Sequence, residues 1–213
     1  MTRILIIGGH GKIALLLAPL LIARGDSVTS VIRNPEHSEE VAATGASPVV
    51  ADVENLSVAE LATLFKHQHA VVWSAGAGGG NPERTYAVDR DAAIRAIDAA
   101  AEAGIPRFVM VSYFGASLEH GVPADNSFYA YAEAKAAADA HLEASTLDWT
   151  ILAPSTLTSD PGTGAIETGE GVTAGSVSRA DVAAVAAAVL ADDATVGRVI
   201  PFNTGSTPIS EAF

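Results

Sequence analysis

The sequence predicts an α/β fold, namely a single Rossmann-like, doubly wound parallel sheet with helices on both faces. Short apolar runs alternate with longer helical segments along the chain, which is the order of repeated βα units. The first run, residues 4–7, is uninterrupted and too short for a helix, as expected of a strand buried on both faces. No internal repeat and no linker interrupts this order, so we expect residues 1–213 to form one domain.

The first half of the chain contains four predicted strands. A helix over residues 13–23 follows the first strand, and Gly25 marks its end because glycine is favoured just after a helix C-terminus. The other strands of this half are short runs rich in valine or isoleucine, and helical patterns separate them. We expect strands at residues 27–32, 48–51 and 70–73, and helices at residues 35–44 and 56–65.

The second half continues the alternation after a glycine-rich loop, residues 76–80, which we expect to be flexible. Residues 162–176 are rich in glycine and threonine and show little regular pattern, so we expect a short substrate-side segment at residues 154–178. Alanine-rich stretches predict helices at residues 82–103, 128–144 and 181–190, and apolar runs predict strands at residues 108–111, 150–152 and 199–202.

Composition limits the partners of the chain. A formal net charge of −13 over 213 residues disfavours binding to nucleic acid or to anionic membranes. The absence of cysteine excludes disulfides and thiolate catalysis, and the histidines have no metal-like spacing. No apolar stretch reaches the roughly 20 residues of a membrane span, and the N-terminus does not resemble a signal peptide. We expect a cytoplasmic protein without a metal that acts on a small molecule, as a monomer or a homodimer.

The turn after the first strand has the pattern of a dinucleotide-binding site. Gly8 permits a tight turn, Gly11 has no side chain to obstruct a pyrophosphate, and Ala14 lets the helix pack closely on the strand. The helix N-terminus then offers free N–H groups to the phosphates. An ordinary strand-to-helix turn is the alternative interpretation. The candidate cofactor contacts of this turn are Gly8, Gly9, His10, Gly11, Lys12 and Ile13.

Further cofactor contacts are expected at the carboxyl ends of the next strands, where ligands of such sheets bind. Arg33 stands where an acidic residue would hold a free ribose, and a guanidinium suits the 2′-phosphate of NADP. We therefore expect NADP(H) to be preferred over NAD(H), unless Arg33 is a solvated surface residue. Asp52 is placed to accept from the adenine amino group with Val53 against the ring, or else to cap the next helix. Small residues after the fourth strand let the backbone run beside the cofactor ribose, namely Ser74, Ala75 and Gly76.

A candidate catalytic set lies further along the chain. Ser112 ends the fifth strand, and Tyr131 and Lys135 are four residues apart on one face of a predicted helix. A free phenol has a pKa of about 10, and a nearby ammonium together with the nicotinamide charge would lower that pKa. Ser112 would then hydrogen-bond a substrate carbonyl while Tyr131 transfers the proton. The alternative is a core tyrosine beside a lysine whose stem packs on apolar surface.

These segments together resemble the short-chain dehydrogenase/reductase superfamily over the whole chain. The resemblance is closest to small atypical NAD(P)H-binding members, often described as epimerase/dehydratase-like, which lack a large C-terminal substrate domain. Besides the segments named above, residues 152–154, 178–183 and 205–209 carry it. The sequence departs from the family at Ala153, where arginine is common, and at Tyr113, where a second serine is frequent.

The resemblance implies an NADP-dependent oxidoreductase that transfers a hydride to or from a small carbonyl, hydroxyl or conjugated substrate. An NADPH-binding redox sensor or scaffold is the alternative, although a pure binder does not need the catalytic set. A sugar-nucleotide epimerase is disfavoured because the chain is short for holding a nucleotide. The implied cofactor contacts are Gly8, Gly11, Arg33, Asp52, Ser74, Ala75, Gly76 and Pro154, and the implied catalytic residues are Ser112, Tyr131 and Lys135, the last of which also holds the nicotinamide ribose.

Other charged residues have structural interpretations. Asp89, Arg90, Asp91 and Arg95 are predicted to form the solvated face of the helix at residues 82–103. Asp181 is predicted to complement the dipole at a helix start, without a part in the chemistry.

Overall fold

The computed structural model of the chain describes residues 1–78, 80–169 and 171–213. The expectation of a flexible loop at residues 76–80 falls partly on Gly79, which lies outside the described residues. The strands are β1 (Arg3–Ile7), β2 (Ser27–Ile32), β3 (Ser47–Val50), β4 (Ala70–Trp73), β5 (Arg107–Val111), β6 (Asp148–Pro154), β7 (Thr156–Thr158), β8 (Ala165–Thr168), β9 (Ser176–Ser178), β10 (Arg198–Thr204) and β11 (Thr207–Pro208). The helices are α1 (Lys12–Ala23), α2 (Ser38–Ala43), α3 (Val58–Phe65), α4 (Pro82–Thr85), α5 (Ala93–Glu102), α6 (Tyr129–Glu143) and α7 (Arg179–Val189).

The predicted fold class is confirmed. Among the described residues, nine strands form one sheet in the order β11-β8-β10-β6-β5-β4-β1-β2-β3, and the seven from β10 to β3 are parallel to one another. Strand order reverses between β1 and β4, because β2 and β3 extend the sheet on one side of β1 and β5 and β6 extend it beyond β4. The reversal places the carboxyl ends of β1 and β4 side by side.

Helices cover both faces of this sheet, and β1 shows how the sequence achieves it. Every apolar residue of β1 is fully buried. Because side chains alternate along a strand, Ile4 and Ile6 pack with α1 and α7, whereas Leu5 and Ile7 pack with α3 and α5. An uninterrupted apolar run is what a strand between two helical layers requires.

The long helix predicted at residues 82–103 is divided in the structure. A π-helical segment, Tyr86–Ala92, joins α4 to α5. A π-helical turn inserts extra backbone into a helix and is common at functional sites. The hydrophobic pattern does not reveal this segment. The apolar residues follow one another as in an ordinary helix, and the insertion changes mainly the direction in which their side chains point.

The prediction of little regular structure at residues 162–176 is wrong for one part of the segment. β8 lies in it and pairs antiparallel with β10 and with the edge strand β11, while Glu170 lies outside the described residues. Asp181 holds the start of this segment: its buried carboxylate accepts hydrogen bonds from the backbone N–H groups of Thr163 and Gly164, at 3.0 and 2.8 Å. Its structural role therefore extends beyond the helix start, where Ser178 caps α7.

Candidate cofactor and active site

The candidate site lies at the strand reversal between β1 and β4, where sheets of this kind bind their ligands. Two pockets open there and share the wall formed by Ser74, Ala75 and Gly76. The arginine pocket, of about 290 Å³, extends towards β2 and β3, and the tyrosine pocket, of about 370 Å³, extends towards β5 and α6. Predicted site residues in the wall of the arginine pocket are Gly8, His10, Gly11, Arg33, Asp52 and Val53, and those of the tyrosine pocket are Ile13, Ser112, Tyr131 and Lys135.

The glycines of the first turn keep the backbones around the cleft close together. Gly8 has a φ of +83°, and a Cβ there would lie 2.6 Å from the Cα of Ala75. A Cβ on Gly9 would lie 2.5 Å from the Cβ of Ser30, so Gly9 serves packing against β2. Gly11 differs from both: its φ is −63°, and its missing Cβ would lie 3.0 Å from the carbonyl oxygen of Gly8.

The N-terminus of α1 fits a phosphate group. Gly11 is the N-cap, and no side chain among the described residues caps this helix end or places an acid in its first turn. The first N–H groups of α1 thus remain available beside the arginine pocket, where anions are favoured by the helix dipole. With the glycines that leave room for a close approach, this chain's residues fit a dinucleotide pyrophosphate.

The arginine pocket contains a carboxylate between two guanidinium groups. Glu54 Oε2 lies 3.7 Å from Nη1 of Arg33 and 3.6 Å from Nε of Arg84. Arg84 also donates from Nη1 to the carbonyl oxygen of Ala77, at 2.5 Å. The two arginines approach from different elements, the loop after β2 and the helix α4, and Arg33 is the more exposed.

The turn after β3 fixes the backbone of Glu54. Both carboxylate oxygens of Asp52 are used in this turn: Oδ1 accepts from the Glu54 N–H at 3.2 Å, and Oδ2 accepts from Asn55 at 2.8 Å. Arg95 donates to the carbonyl oxygens of Glu54 and Leu56, at 2.8 and 3.0 Å. The prediction that Arg95 belongs to a solvated face is therefore wrong, because its guanidinium satisfies carbonyl groups of a neighbouring turn.

Two imidazoles stand at the entrance to the arginine pocket. The rings of His10 and His37 are stacked, with centroids 3.6 Å apart and planes at 16°. His10 Nε2 also lies 2.6 Å from a carboxylate oxygen of Glu40. The side chain of His10 is thus tied to the loop and helix after β2, which brings this loop up to the glycine turn.

Tyr131 lies in the tyrosine pocket with its hydroxyl free of hydrogen bonds to other described residues. Its ring packs against Tyr113 and Phe128, with centroids 5.5 and 5.3 Å away. Lys135, one turn further along α6, is buried and donates from Nζ to the carbonyl oxygen of Val111 at 2.8 Å. An ammonium has three donors, and Nζ also donates to Sδ of Met110 at 3.5 Å, so Lys135 retains one donor for a ligand in the pocket.

The protein's own groups do not lower the pKa of Tyr131, which was expected to fall under the combined influence of an ammonium and the nicotinamide charge. Burial, followed by the carboxylates of Asp89 and Asp139 and by Tyr113, raises the pKa of Tyr131 above the ordinary phenol value. The ammonium of Lys135 acts mainly on those carboxylates, since it lowers the pKa of both. Tyr131 therefore stays protonated at neutral pH, which suits donation of a proton.

The hydroxyl of Ser112 is not free for a substrate carbonyl, in contrast to the prediction. It is buried, and its Oγ donates a short hydrogen bond to Oδ2 of Asp139. Burial raises the pKa of Asp139, whereas Lys135 and the Ser112 hydroxyl partly oppose the rise. Ser112 reaches the tyrosine pocket, but its proton is directed away from it while Asp139 is ionised.

Asp89 was predicted to be solvated, and this prediction is wrong. It lies on the π-helical segment, is 2% exposed, and lines the tyrosine pocket. Its Oδ2 accepts from the N–H of Ala77 at 2.9 Å, and burial raises its pKa. Asp89 holds the backbone that follows β4 and adds a carboxyl group to the pocket beside Lys135.

Three predicted contacts lie outside the pocket walls. Gly9 is buried against β2, Lys12 is exposed at the start of α1, and Pro154 is buried at the end of β6. Of the predicted substrate-side segment, residues 154–178, Leu157 alone among the described residues lines the tyrosine pocket.

Asp139 gives a testable pH dependence of stability. A carboxyl group whose pKa is raised by folding stabilises the protein most below its unfolded pKa of about 3.8, and this contribution is lost as pH rises through the folded value. Asp139→Asn should therefore unfold at a higher temperature than the parent at pH 8, by about 2–4 °C for each kcal/mol gained, and by less at pH 5. Thermal unfolding at both pH values measures this, with exposed Asp125→Asn as the control. An equal difference at the two pH values would contradict it.

The residues missed by sequence reasoning are Glu54, Arg84, Asp89 and Asp139. Periodicity offered a signal for Asp89, which shares a helical face with the buried Ala92, Ala93 and Ala96. No comparable signal identifies Glu54 and Arg84, because their meeting depends on two elements that are distant in the chain.

Comparisons with known proteins agree with this fold. Residues 8–193 match the family described as NAD(P)H-binding. A Bacillus subtilis (strain 168) protein named as an uncharacterized sugar epimerase, YhfK, is 38% identical over 213 residues, with 99% of this chain and 98% of that protein covered. A solved Bacillus halodurans structure described as a candidate NAD-dependent epimerase/dehydratase has a TM-score of 0.90 and 32% identity, covering 99% of this chain and 97% of that one. The oxidoreductase ylbE of Lactococcus lactis has a TM-score of 0.88 and 28% identity, with 99% and 94% covered.

Residues 1–78, 80–169 and 171–213 contain no helix that is long and apolar enough to cross a membrane. The same residues contain no group of three or more metal-ligating side chains.

Proposed function

Because this chain belongs to the NAD(P)H-binding family, among the atypical short-chain dehydrogenase/reductases, we propose that it is an NADP-dependent oxidoreductase. Its substrate is a small carbonyl, hydroxyl or conjugated compound. The convergence of Tyr131, Lys135 and Ser112 on a pocket that adjoins the glycine turn carries the proposal. The cofactor, when bound, supplies or accepts the hydride.

Tyr131 is the proton donor in this proposal. A raised pKa keeps its hydroxyl protonated, so donation to a developing alkoxide is favoured over proton removal from an alcohol. Lys135 orients the ligand with the donor that Val111 and Met110 leave free, and its charge offsets the two buried carboxylates.

The role of Ser112 depends on the protonation of Asp139. When Asp139 carries a proton, it can donate to Ser112, whose own hydrogen is then free for a substrate carbonyl. When Asp139 is ionised, Ser112 donates to it and faces the pocket with lone pairs. The raised pKa of Asp139 extends the range in which Ser112 serves as a donor.

A substrate screen tests the proposed activity. Aldehydes, ketones, quinones, flavins and nucleotide sugars are incubated with NADPH, and oxidation of NADPH is followed by its absorbance. The proposal expects turnover of at least one carbonyl or conjugated compound. Binding of NADPH without turnover of any compound would favour a sensor or scaffold, and conversion of a nucleotide sugar without net NADPH loss would favour an epimerase, the activity in the name of the Bacillus subtilis relative.

The NADP preference is attributed to Arg33, whose exposed guanidinium lies in the arginine pocket. Arg33→Ala should weaken NADPH binding by about tenfold, since a charged hydrogen bond is worth roughly 1.5–3 kcal/mol, and should leave NADH binding nearly unchanged. Fluorescence titration of both nucleotides measures this. Equal affinities for NADPH and NADH in the parent protein would contradict the proposed preference for NADP(H).

A further inference from the structure

We propose that Glu54 sets how strongly the site discriminates between the two forms of the cofactor, by competing with the 2′-phosphate for Arg33 and Arg84. The inference rests on the proposed function, because it concerns the nucleotide that the cleft binds. The preference between NADP(H) and NAD(H), which Arg33 alone was expected to decide, then depends on a carboxylate as well.

The position of Glu54 is fixed by its backbone and not by its charge partners. Its N–H donates to Asp52, and its carbonyl oxygen accepts from Arg95. The carboxylate itself is only a quarter exposed and lines the arginine pocket. A rigid backbone therefore presents this carboxylate to whatever enters the pocket.

The distances from the Glu54 carboxylate to both arginines are long. Distances of 3.7 and 3.6 Å exceed those of a hydrogen bond, and both involve the same oxygen, Oε2. Such partly exposed ion pairs are weak. A dianionic phosphate that offers short, charge-assisted bonds would displace Glu54 from Arg33 and Arg84.

Glu54 affects the two cofactor forms in opposite directions. A carboxylate in this pocket can accept a hydrogen bond from a ribose 2′-hydroxyl, which NADH has and NADPH lacks. The same carboxylate repels a 2′-phosphate and occupies the arginines that would bind it. Glu54 thus gives the pocket an acceptor for NADH and reduces its preference for NADPH.

Removal of the charge at Glu54 tests the inference. Glu54→Gln should bind 2′-phospho-ADP-ribose about 3- to 10-fold more tightly than the parent and should bind ADP-ribose less tightly. These two probes lack nicotinamide, so calorimetric titration reports the arginine pocket alone, without turnover. Glu39→Gln is the matched control, because it makes the same charge change at an exposed position of α2 that lies outside both pockets.

A double variant tests the route of the effect. When Glu54→Gln is introduced into the Arg33→Ala variant, the affinity for 2′-phospho-ADP-ribose should increase by a smaller factor than in the parent. One of the two arginines that the substitution frees from Glu54 is then absent. An unchanged ratio of the two affinities in Glu54→Gln, with normal binding in the parent, would overturn this inference and leave the proposed function standing. If neither probe nor either nicotinamide nucleotide binds the parent, the proposed function and this inference both fail.

Discussion

Tyr131→Phe is expected to lower turnover of any accepted carbonyl by about 10²–10⁴, the range typical of a lost general acid. The substitution keeps the ring against Tyr113 and Phe128 and removes a hydroxyl that has no hydrogen-bond partner among the described residues. Folding and NADPH affinity should therefore change little. Steady-state kinetics with the best substrate of the screen, together with a fluorescence titration of NADPH, measure both quantities.

Tyr113→Phe is the matched control for this variant. Its ring lies beside that of Tyr131, and burial also raises its pKa, but Tyr113 is not part of the wall of the tyrosine pocket. Turnover that survives Tyr131→Phe undiminished would show that solvent or another group protonates the product. In that case the fold and the family would stand, and the catalytic assignment would be wrong.

Gly11→Val is expected to weaken binding of NADPH and NADH alike by about 5- to 150-fold, since overpacking a tight site costs roughly 1–3 kcal/mol. The φ of Gly11 is −63°, which valine can adopt, so the fold should survive. Its new side chain would lie near the carbonyl oxygens of Gly8 and Ser74, at the junction of the glycine turn with the loop after β4. Calorimetric titration measures the affinities.

A graded series separates loss of binding from loss of fold. Gly11→Ala adds one Cβ at 3.0 Å from the Gly8 oxygen and should have the smaller effect. Gly8→Ala should instead lower the unfolding temperature, because its φ is +83° and its Cβ would lie 2.6 Å from Ala75. Normal cofactor affinity in Gly11→Val would place the nucleotide elsewhere.

The geometry of this turn was accessible from sequence because it is local. Gly8 and Gly11 are close in the chain, and each has a physical requirement that a single residue type meets, a positive φ in one case and an absent side chain in the other. Tyr131 and Lys135 likewise share a face of α6 because they are four residues apart.

The sequence by itself determined the seven parallel strands β1 to β6 and β10 with the helices that alternate with them, and the glycine turn, since these follow from periodicity and from short-range steric rules. Tertiary structure alone decided the electrostatics of the cleft. Asp139 reaches Ser112 across 27 residues, Asp89 accepts from the N–H of Ala77 in the loop after β4, and Glu54 meets Arg33 and Arg84 only when three chain segments converge. The physical reason is that charge interactions depend on distance and burial in space, which chain spacing does not specify beyond a few residues.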